Sequence, residues 1–344
     1  KIPGDPAFSL VPPSSNSDGA FTYTSSNPAV ATIVDGVVTV VGLGSSTISA
    51  VQASTTNYTS ATITSLLTVG LAATITDFSV PAKTFGDASF NLVDPTSNSD
   101  GAFTYISSNT AVATIAGNVV TIVGIGSSTF TATQAATTLF LATTTTTSFV
   151  VNKATPTITN FSEITKTFGN AAFTLVAPTS NSAGSFTYTS SNTAVATIAG
   201  STVTIVGSGT ATITASQATT TNYLAGTTNA TLDVSKATTV LSNFAVGTKT
   251  YGDASFNIIA PTTNSNGSIR YGSGNLGVAT VVGRTITILR GGTTLITAFQ
   301  GETTDYEGKE IGSTLVVIRA TTVLSDFAVP AKIYGDEPFE IIPP

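Results

Sequence analysis

The reactive side chains of this sequence are few, and several residue types on which enzymes commonly depend are missing. The 344-residue chain contains no His, Cys, Met or Trp, and only 18 acidic and 12 basic residues. A nucleophile activated by His is therefore impossible, and no Ser–Lys arrangement has a recognisable spacing. A zinc site of the usual kind loses its His and Cys ligands. We predict no enzyme activity and no cofactor.

Carboxylates are the remaining groups that could do chemistry. Most acids are single residues in predicted turns, which disfavours a paired general acid and base. Asp87, Asp94 and Asp100 lie near a predicted joint and offer the oxygen ligands that calcium prefers. No D-x-D-x-D-G loop is present, and a later repeat carries Asn, Ala and Ala at the three corresponding positions. Turn capping is the preferred interpretation, and these residues stay weak calcium candidates.

Charge is sparse and unevenly placed along the chain. The net charge is -6 and the basic residues are scattered singly, which disfavours a nucleic-acid partner because phosphate neutralisation needs clustered positive charge. No apolar run approaches the roughly 18 residues of a membrane helix, so we predict no membrane insertion. Every Arg lies in the last quarter. Drift between repeats is the preferred explanation, and the alternative is a contact surface formed by Arg270, Arg284 and Arg290.

A Gly-Asp-x-x-Phe segment sets the period of the chain. Its Phe recurs every 82 or 83 residues, from Phe8 to Phe339, and Asn replaces Asp in one copy. This period fits one small β domain and makes the chain a tandem array, with Ala-Thr pairs at the joints. The predicted divisions are four domains, the last one divergent, and a partial fifth unit with opening strands only: 1–71, 72–152, 153–235, 236–318 and 319–344.

Within each repeat, apolar residues alternate with Thr at the two-residue period of a strand. Phe186 and Tyr188 share one face, and Thr187 and Thr189 share the other. Asp-Gly and Asn-Gly pairs predict hairpin turns between the strands. No segment keeps a helical stripe, so we predict an all-β sandwich of about seven short strands. Short joints without Gly/Ser-rich spacers predict limited bending and an elongated rod.

Aromatic residues recur at the same period. Nearly all of the 18 Phe and 9 Tyr residues occupy repeated positions. Such recurrence indicates core or corner residues rather than a sugar-stacking platform. Only Phe130, Phe149 and Phe299 fall outside the pattern.

The third repeat carries a resemblance to a known family. The segments concerned are KATPTIT at 153–159, TFGNAAFTL at 167–175, YTSSNTAVATI at 188–198, VTIVGSGTATITA at 203–215 and NYLAG at 222–226. They resemble the bacterial immunoglobulin-like repeats of large surface and adhesin proteins, and the likeness covers nearly the whole chain. The resemblance implies an immunoglobulin-like sandwich for each repeat and an extracellular location. The fourth repeat departs from the pattern, with additional glycines and Arg290 in its turns.

The two ends of the chain have the same phase, because KIPGDPAFSLVPP opens it and KIYGDEPFEIIPP closes it. The preferred interpretation is a window cut from a longer array. The absence of Met fits this interpretation and also fits a subunit that is proteolytically processed at its start. The alternative is head-to-tail polymerisation, in which the C-terminal segment completes the first sandwich of another copy by strand addition. The predicted strand-exchange residues are Thr321, Val323, Leu324, Phe327 and Phe339.

Three functions fit these observations. The first hypothesis is a non-catalytic structural repeat protein, a stalk or filament component of a bacterial cell surface that serves as an adhesin-like spacer. Its partners would be copies of itself or neighbouring repeats. The second is a phage or viral fibre or decoration protein. The third is an accessory module that binds a surface glycan or a host receptor, with its contact surface on the fourth repeat.

Overall fold

The structure is a computed structural model that describes residues 1–341. All regular secondary structure in these residues is β, which confirms the all-β prediction. None of the described elements is a helix of the length and apolarity needed to cross a membrane. The strands of the first repeat are β1 (Phe8–Ser9), β2 (Phe21–Ser25), β3 (Ala31–Val34), β4 (Val37–Val40), β5 (Gly44–Gln52) and β6 (Ala61–Val69).

The next three repeats share one succession of strands. The second contains β7 (Ile75–Thr76), β8 (Lys83–Thr84), β9 (Phe90–Asn91), β10 (Thr96–Ser97), β11 (Phe103–Ser107), β12 (Ala113–Ala116), β13 (Val119–Ile122), β14 (Gly126–Gln134) and β15 (Thr143–Asn152). The third contains β16 (Ile158–Thr159), β17 (Ile164–Thr167), β18 (Phe173–Thr174), β19 (Thr179–Ser180), β20 (Phe186–Ser190), β21 (Ala196–Ala199), β22 (Thr202–Ile205), β23 (Gly209–Gln217) and β24 (Gly226–Ser235). The fourth contains β25 (Leu241–Ser242), β26 (Lys249–Thr250), β27 (Phe256–Asn257), β28 (Thr262–Thr263), β29 (Ile269–Ser273), β30 (Ala279–Val282), β31 (Thr285–Ile288), β32 (Gly292–Gln300) and β33 (Lys309–Ile318).

Each of these three repeats forms the same set of sheets. In the second repeat the orders are β8-β15-β14-β11, β9-β13-β12 and β7-β10. Neighbouring strands are antiparallel except β8 and β15, which run parallel with Lys83 opposite Val151. The pairs β17-β24 and β26-β33 repeat this parallel contact. The first repeat has the sheets β2-β5-β6 and β1-β4-β3, and the described residues contain no counterpart there of β7, β8 or β10.

The core of each sandwich lies between its two larger sheets. In β14, Phe130 and Ala132 are fully buried, while the Thr residues that alternate with them, Thr129, Thr131 and Thr133, face outward. The Phe130 ring stacks on Phe149 with centroids 4.8 Å apart. Both rings pack in one cluster with Val120, which lies in the three-stranded sheet, and with Val112, which directly precedes β12 of that sheet. The third and fourth repeats have clusters of their own, drawn from residues 175–234 and 244–317. Each of these cores uses residues of a single repeat.

A local motif, the Lys clip, accompanies every Gly-Asp-x-x-Phe segment and consists of residues 83–90 in the second repeat. The Asp87 carboxylate accepts a hydrogen bond from the Thr84 N–H at 2.9 Å, and Lys83 Nζ lies 5.0 Å from the centre of the Phe90 ring. Gly86 has a φ of 90°, a conformation that favours glycine. Five of the 12 basic residues are therefore periodic rather than scattered: Lys1, Lys83, Lys166, Lys249 and Lys332.

A buried Gln at the end of the long central strand holds a loop in place, a role that the local sequence pattern does not predict. Gln134 accepts a hydrogen bond from the Ser97 hydroxyl at 2.7 Å and donates to the carbonyls of Ser99 and Gly101 at 2.9 and 3.0 Å. Gln52 and Gln300 make the corresponding three contacts. Because all its polar atoms are paired, the amide is buried without an unsatisfied group.

The Asp-Gly pair held by this Gln is not the tight hairpin turn that the sequence predicts. Gly101 does not have a positive φ, and a Cβ on it would lie 2.1 Å from the Ala135 carbonyl oxygen. The glycine is required because two backbone segments approach closely, not because the turn is left-handed. The predicted hairpin at Asp35-Gly36 does form, with φ values of 49° and 75°.

The described chain divides into two compact units that do not follow the predicted domain boundaries. The first contains Lys1–Thr157, Asn181–Gly184 and Ala218–Gly226. The second contains Ile158–Ser180, Ser185–Gln217 and the residues from Thr227 onward. Two loops of the third repeat are thus grouped with the first unit. The division into four domains and a partial fifth stays a prediction.

The C-terminal segment differs from the opening strands predicted for it, because residues 319–341 form no strand. In the second repeat the opening strand β8 pairs with β15, the last strand of the same repeat, which lies about 70 residues further along the chain. No strand follows β33 in the described residues, so the segment has no such partner. The Lys clip still forms there, with Lys332 Nζ 5.1 Å from the Phe339 ring centre. Residues 342–344 of the predicted fifth unit lie outside the described residues.

Candidate functional site

The joints between repeats contain contacts that the sequence analysis did not assign. Ala154, which opens the third repeat, donates its N–H to the Asn222 carbonyl at 3.0 Å and accepts from the Leu224 N–H at 2.8 Å. We call the segments that form these bonds with the linker residues the joint loops, residues 136–141, 219–224 and 302–307. Leu71 and Ala237 make equivalent backbone contacts with the other two joint loops. The linker is therefore hydrogen-bonded into the repeat that follows it.

An aromatic pair adds a second contact at two joints. The Phe85 ring lies edge-on to Tyr223 with centroids 5.6 Å apart, and Phe168 lies edge-on to Tyr306 at 5.5 Å. These rings come from consecutive repeats, so two of the recurring aromatic positions serve contacts between repeats as well as the cores. The first repeat carries Pro3 at the position of Phe85, and no such ring pair is found for it in residues 1–341.

Polar contacts are densest at the joint that involves the fourth repeat. The Ser208 N–H donates to the Asp305 carboxylate at 2.7 Å, and the Ser208 hydroxyl donates to the Thr304 carbonyl. Lys236 and Glu302 form a salt bridge of 3.3 Å, which contributes little because both side chains are exposed to solvent. The Asp305 carboxylate is thus held by a backbone N–H of the preceding repeat, and this contact fixes the joint loop.

The three weak calcium candidates are not brought together. Asp87 caps the Lys clip, Asp94 accepts a hydrogen bond from the Tyr105 hydroxyl, and Asp100 is exposed. Among residues 1–341 no group of three or more acidic, His or Cys side chains is arranged to hold a metal ion. The turn-capping role that the sequence favours describes Asp87.

Two tyrosines that pack in the cores have raised pKa values. Burial raises the pKa of Tyr105, and the hydrogen bond to Asp94 and the negative charge of that carboxylate raise it further. Burial also raises the pKa of Tyr188. Tyr23, at the same position of the first repeat, has a buried hydroxyl without a hydrogen-bond partner. These groups lie in sandwich interiors and are not assembled into a reactive site.

The predicted contact surface of three arginines is split into two places. Arg270 and Arg284 border one shallow groove together with Tyr271. Arg284 also donates from Nε and Nη2 to the Ile258 carbonyl at 3.2 and 2.9 Å, so part of its hydrogen-bonding capacity is used within the repeat. Arg290 borders a separate groove with Tyr251.

The predicted strand-exchange residues lie in the segment that forms no strand, and all of them are exposed. Val323 is 85% exposed and Leu324 is 76% exposed. Phe339 is partly covered by Lys332 in the fifth Lys clip. The residues concerned are Thr321, Val323, Leu324, Phe327 and Phe339.

Comparison with known proteins supports the bacterial resemblance. Residues 13–54 match the family model described as the intimin immunoglobulin-like domain. This match confirms the resemblance to bacterial immunoglobulin-like repeats in the first repeat. No curated protein sequence matches the chain.

Several solved structures of multidomain proteins are similar to the chain at low identity. Drosophila N-cadherin EC1-4 is 11% identical, with 90% of this chain and 94% of that one covered and a TM-score of 0.26. Sidekick-1 immunoglobulin domains 1-5 are 13% identical, with coverages of 92% and 77% and a TM-score of 0.28. The insect immune protein hemolin is 10% identical, with coverages of 92% and 95% and a TM-score of 0.28. These TM-scores are too low for the likenesses to support a function.

Proposed function

We propose that the chain is a non-catalytic, extracellular structural repeat protein that serves as an adhesin-like spacer in a stalk or filament of a bacterial cell surface. The observation that carries this proposal is the construction of the joints. The residue that opens each later repeat is hydrogen-bonded to a joint loop, and Phe168 packs against Tyr306 of the next repeat. A spacer needs repeats that do not bend freely, and these contacts restrict the linker.

The outer faces of the strands fit the same role. In the second repeat, Thr104, Thr133 and Thr144 form one outward row across three strands. Thr suits an exposed strand surface because its branched Cβ favours extended backbone and its hydroxyl is compatible with water. Such a face is stable and offers no reactive group. The family match at residues 13–54 supports the bacterial surface assignment.

A binding role for the fourth repeat is the second candidate. The groove bordered by Arg270, Tyr271 and Arg284 combines guanidinium groups with an aromatic ring. Planar donors beside an aromatic ring are suited to carboxylated glycans or to an acidic receptor surface. The test is binding of the full chain to a glycan array, with Arg270→Thr as the variant. Loss of binding in that variant supports this role, and the absence of any binding excludes it for glycans.

Head-to-tail polymerisation also remains a proposal. The exposed apolar residues of 319–341 support it, because an unpaired segment of this kind can add to an open sheet edge. Light scattering should compare the full chain with a chain ending at Ile318. Equal self-association of both would exclude strand exchange by the C-terminal segment.

The spacer role is tested by the tumbling of the repeats in solution. We expect ¹⁵N relaxation of the full chain to give the third and fourth repeats a common, long rotational correlation time. The double variant Phe168→Ala, Tyr306→Ala should shorten it, because the ring contact at that joint is lost. Short, independent correlation times in the unaltered chain would contradict a spacer.

A further inference from the structure

One sheet face of the fourth repeat differs from its counterparts in the other repeats. It is the outer face of β29, β32 and β33, and we call it the fourth-repeat face. One row across the three strands contains Arg270, Phe299 and Glu310 in register, with Phe299 in the middle. Leu295 projects from the same face of β32. The face is defined by Arg270, Gly272, Leu295, Phe299, Glu310 and Gly312.

The positions of the row and of Leu295 are neutral and polar in the second repeat. Thr104, Thr133 and Thr144 replace the row of the fourth-repeat face, and Thr129 replaces Leu295. In the fourth repeat, Phe299 is 43% exposed and Leu295 is 50% exposed. Large apolar side chains have thus replaced hydroxyls at two outward positions of one strand, on either side of Thr297, and exposed apolar groups of this size can indicate an interaction site.

Two glycines make this face flat. A Cβ added to Gly312 would lie 3.0 Å from Leu295 Cδ1, so the Leu295 side chain lies over the backbone of β33. Gly272 stands opposite Thr297 in the neighbouring strand and adds no side chain of its own. Leu295 thus fills the space above Gly312, and no side chain projects from either glycine.

The two charges of the face have no ion-pair partner among the described residues. Neither Arg270 nor Glu310 has an ion pair or a hydrogen-bonded side-chain partner in residues 1–341. They stand on strands that flank β32, about 10 Å apart by ordinary strand spacing, with Phe299 between them. The row therefore presents a positive end, an aromatic centre and a negative end.

We propose that the fourth-repeat face binds the same face of a second copy of this chain. A two-fold axis parallel to β32 exchanges the two sides of the row, so Arg270 of each copy lies over Glu310 of the other. The same axis places Phe299 against Phe299 and Leu295 against Leu295. An isologous interface requires one patch that is complementary to itself, and a row with opposite charges at its ends meets that requirement. The interaction joins two chains side by side.

Analytical ultracentrifugation of the full chain tests this proposal. We expect a concentration-dependent dimer. The double variant Leu295→Thr, Phe299→Thr restores the residue types of the second repeat and should weaken dimerisation at least about tenfold, because the apolar centre is lost. The matched control is Ile106→Thr on the corresponding face of the second repeat. Ile106 is 64% exposed, and its replacement should leave the dimer unchanged.

Charge exchange identifies the geometry. Arg270→Glu alone and Glu310→Arg alone should each weaken the dimer, because each places like charges opposite one another. The double variant Arg270→Glu, Glu310→Arg should restore it. Thermal unfolding of every variant verifies that the repeat remains folded.

Four results would overturn the proposal. One is a full chain that stays monomeric at all concentrations, and another is a double charge exchange that is as weak as the single changes. The third is a dimer that persists in the Leu295→Thr, Phe299→Thr variant and disappears only when residues 319–344 are removed, since association would then depend on the C-terminal segment. The fourth is a glycan that binds the fourth-repeat face of a monomeric chain, since the partner of the face would then be the glycan and not a second copy.

Discussion

Tyr23, Tyr105 and Tyr188 occupy one position of the repeat, yet their hydroxyl groups have different surroundings. Tyr105 donates to Asp94, whereas the buried hydroxyl of Tyr23 has no partner. The difference follows from the acceptor, because the first repeat has Pro12 where the second has Asp94. The same residue type at one repeated position therefore contributes differently to the stability of different repeats. An unpaired buried hydroxyl costs free energy, and a paired one contributes.

Removing the hydroxyl group should distinguish these two sites. Tyr105→Phe should lower the free energy of unfolding by about 1 kcal/mol, because the hydrogen bond to Asp94 is lost. Tyr23→Phe should be neutral or stabilising, because it removes a buried polar group that has no partner. Urea unfolding of the two variants measures both changes. A larger loss for Tyr23→Phe than for Tyr105→Phe would contradict the assignment.

The raised pKa of Tyr105 predicts a dependence of stability on alkaline pH. The folded state holds the proton more tightly than the unfolded state, so this contribution is complete below about pH 10, the ordinary pKa of Tyr. It decreases as the pH rises further, since the unfolded chain then binds fewer protons. Urea midpoints at pH 9 and pH 11 should fall less in Tyr105→Phe than in the unaltered chain. An equal fall in both would show that Tyr105 does not contribute.

At the scale of elements, the sequence predicts strands better than it predicts their connections. Alternation of apolar residues with Thr identifies strands such as β14 and β20, because burial on one face requires a period of two. The Asp100-Gly101 connection was assigned the wrong geometry, since close approach to Ala135 and the hydrogen bonds of Gln134 determine it instead. A signal was present, because every Gln of the sequence stands at this one repeated position.

The phase of the alternation also distinguishes buried from exposed residues among the aromatics that fall outside the repeat pattern. Phe130 is buried because it is in phase with the inward Gln134, whereas Phe299 precedes the inward Gln300 and faces solvent. Once the inward Gln is known, this part of the candidate surface follows from the sequence. The contact of Phe85 with Tyr223 does not, because no local pattern specifies which residues of consecutive repeats meet.

The buried Gln should be essential to the loop that it holds. Gln134→Leu should lower the free energy of unfolding by about 2 kcal/mol, because it leaves the carbonyls of Ser99 and Gly101 without their partner. Urea unfolding and the rate of proteolysis within residues 97–101 measure the effect. Thr133→Val, on the outer face of the same strand, is the control and should change stability by less than about 0.5 kcal/mol. Similar results for the two variants would contradict the role of Gln134.

The joints should show energetic coupling between consecutive repeats. In a double-mutant cycle of Phe168→Ala and Tyr306→Ala, we expect a coupling free energy of about 1 kcal/mol, since edge-to-face rings attract each other beyond their area of contact. Pro3→Ala with Phe140→Ala is the matched control at a joint without the ring pair and should give additive changes. Thermal unfolding measures both cycles. Additivity at both joints would argue against the aromatic contact.

At the scale of the whole molecule, each of the later repeats has a core of its own, and ring and hydrogen-bond contacts at the joints connect neighbouring repeats. Stability in such an array approximates a sum of repeat stabilities and nearest-neighbour terms. This organisation supports a spacer, because a single repeat can open without loss of the others. The division into two compact units offers the competing expectation that pairs of repeats unfold together.

Stretching single molecules of the full chain by atomic force microscopy separates these expectations directly. With a repeat period of 83 residues and about 3.4 Å per extended residue, each unfolding repeat should release about 280 Å of chain, less its folded length. Independent repeats should give four separate unfolding events of nearly equal length. One or two events of correspondingly greater length would contradict independent repeats and the spacer function proposed for them.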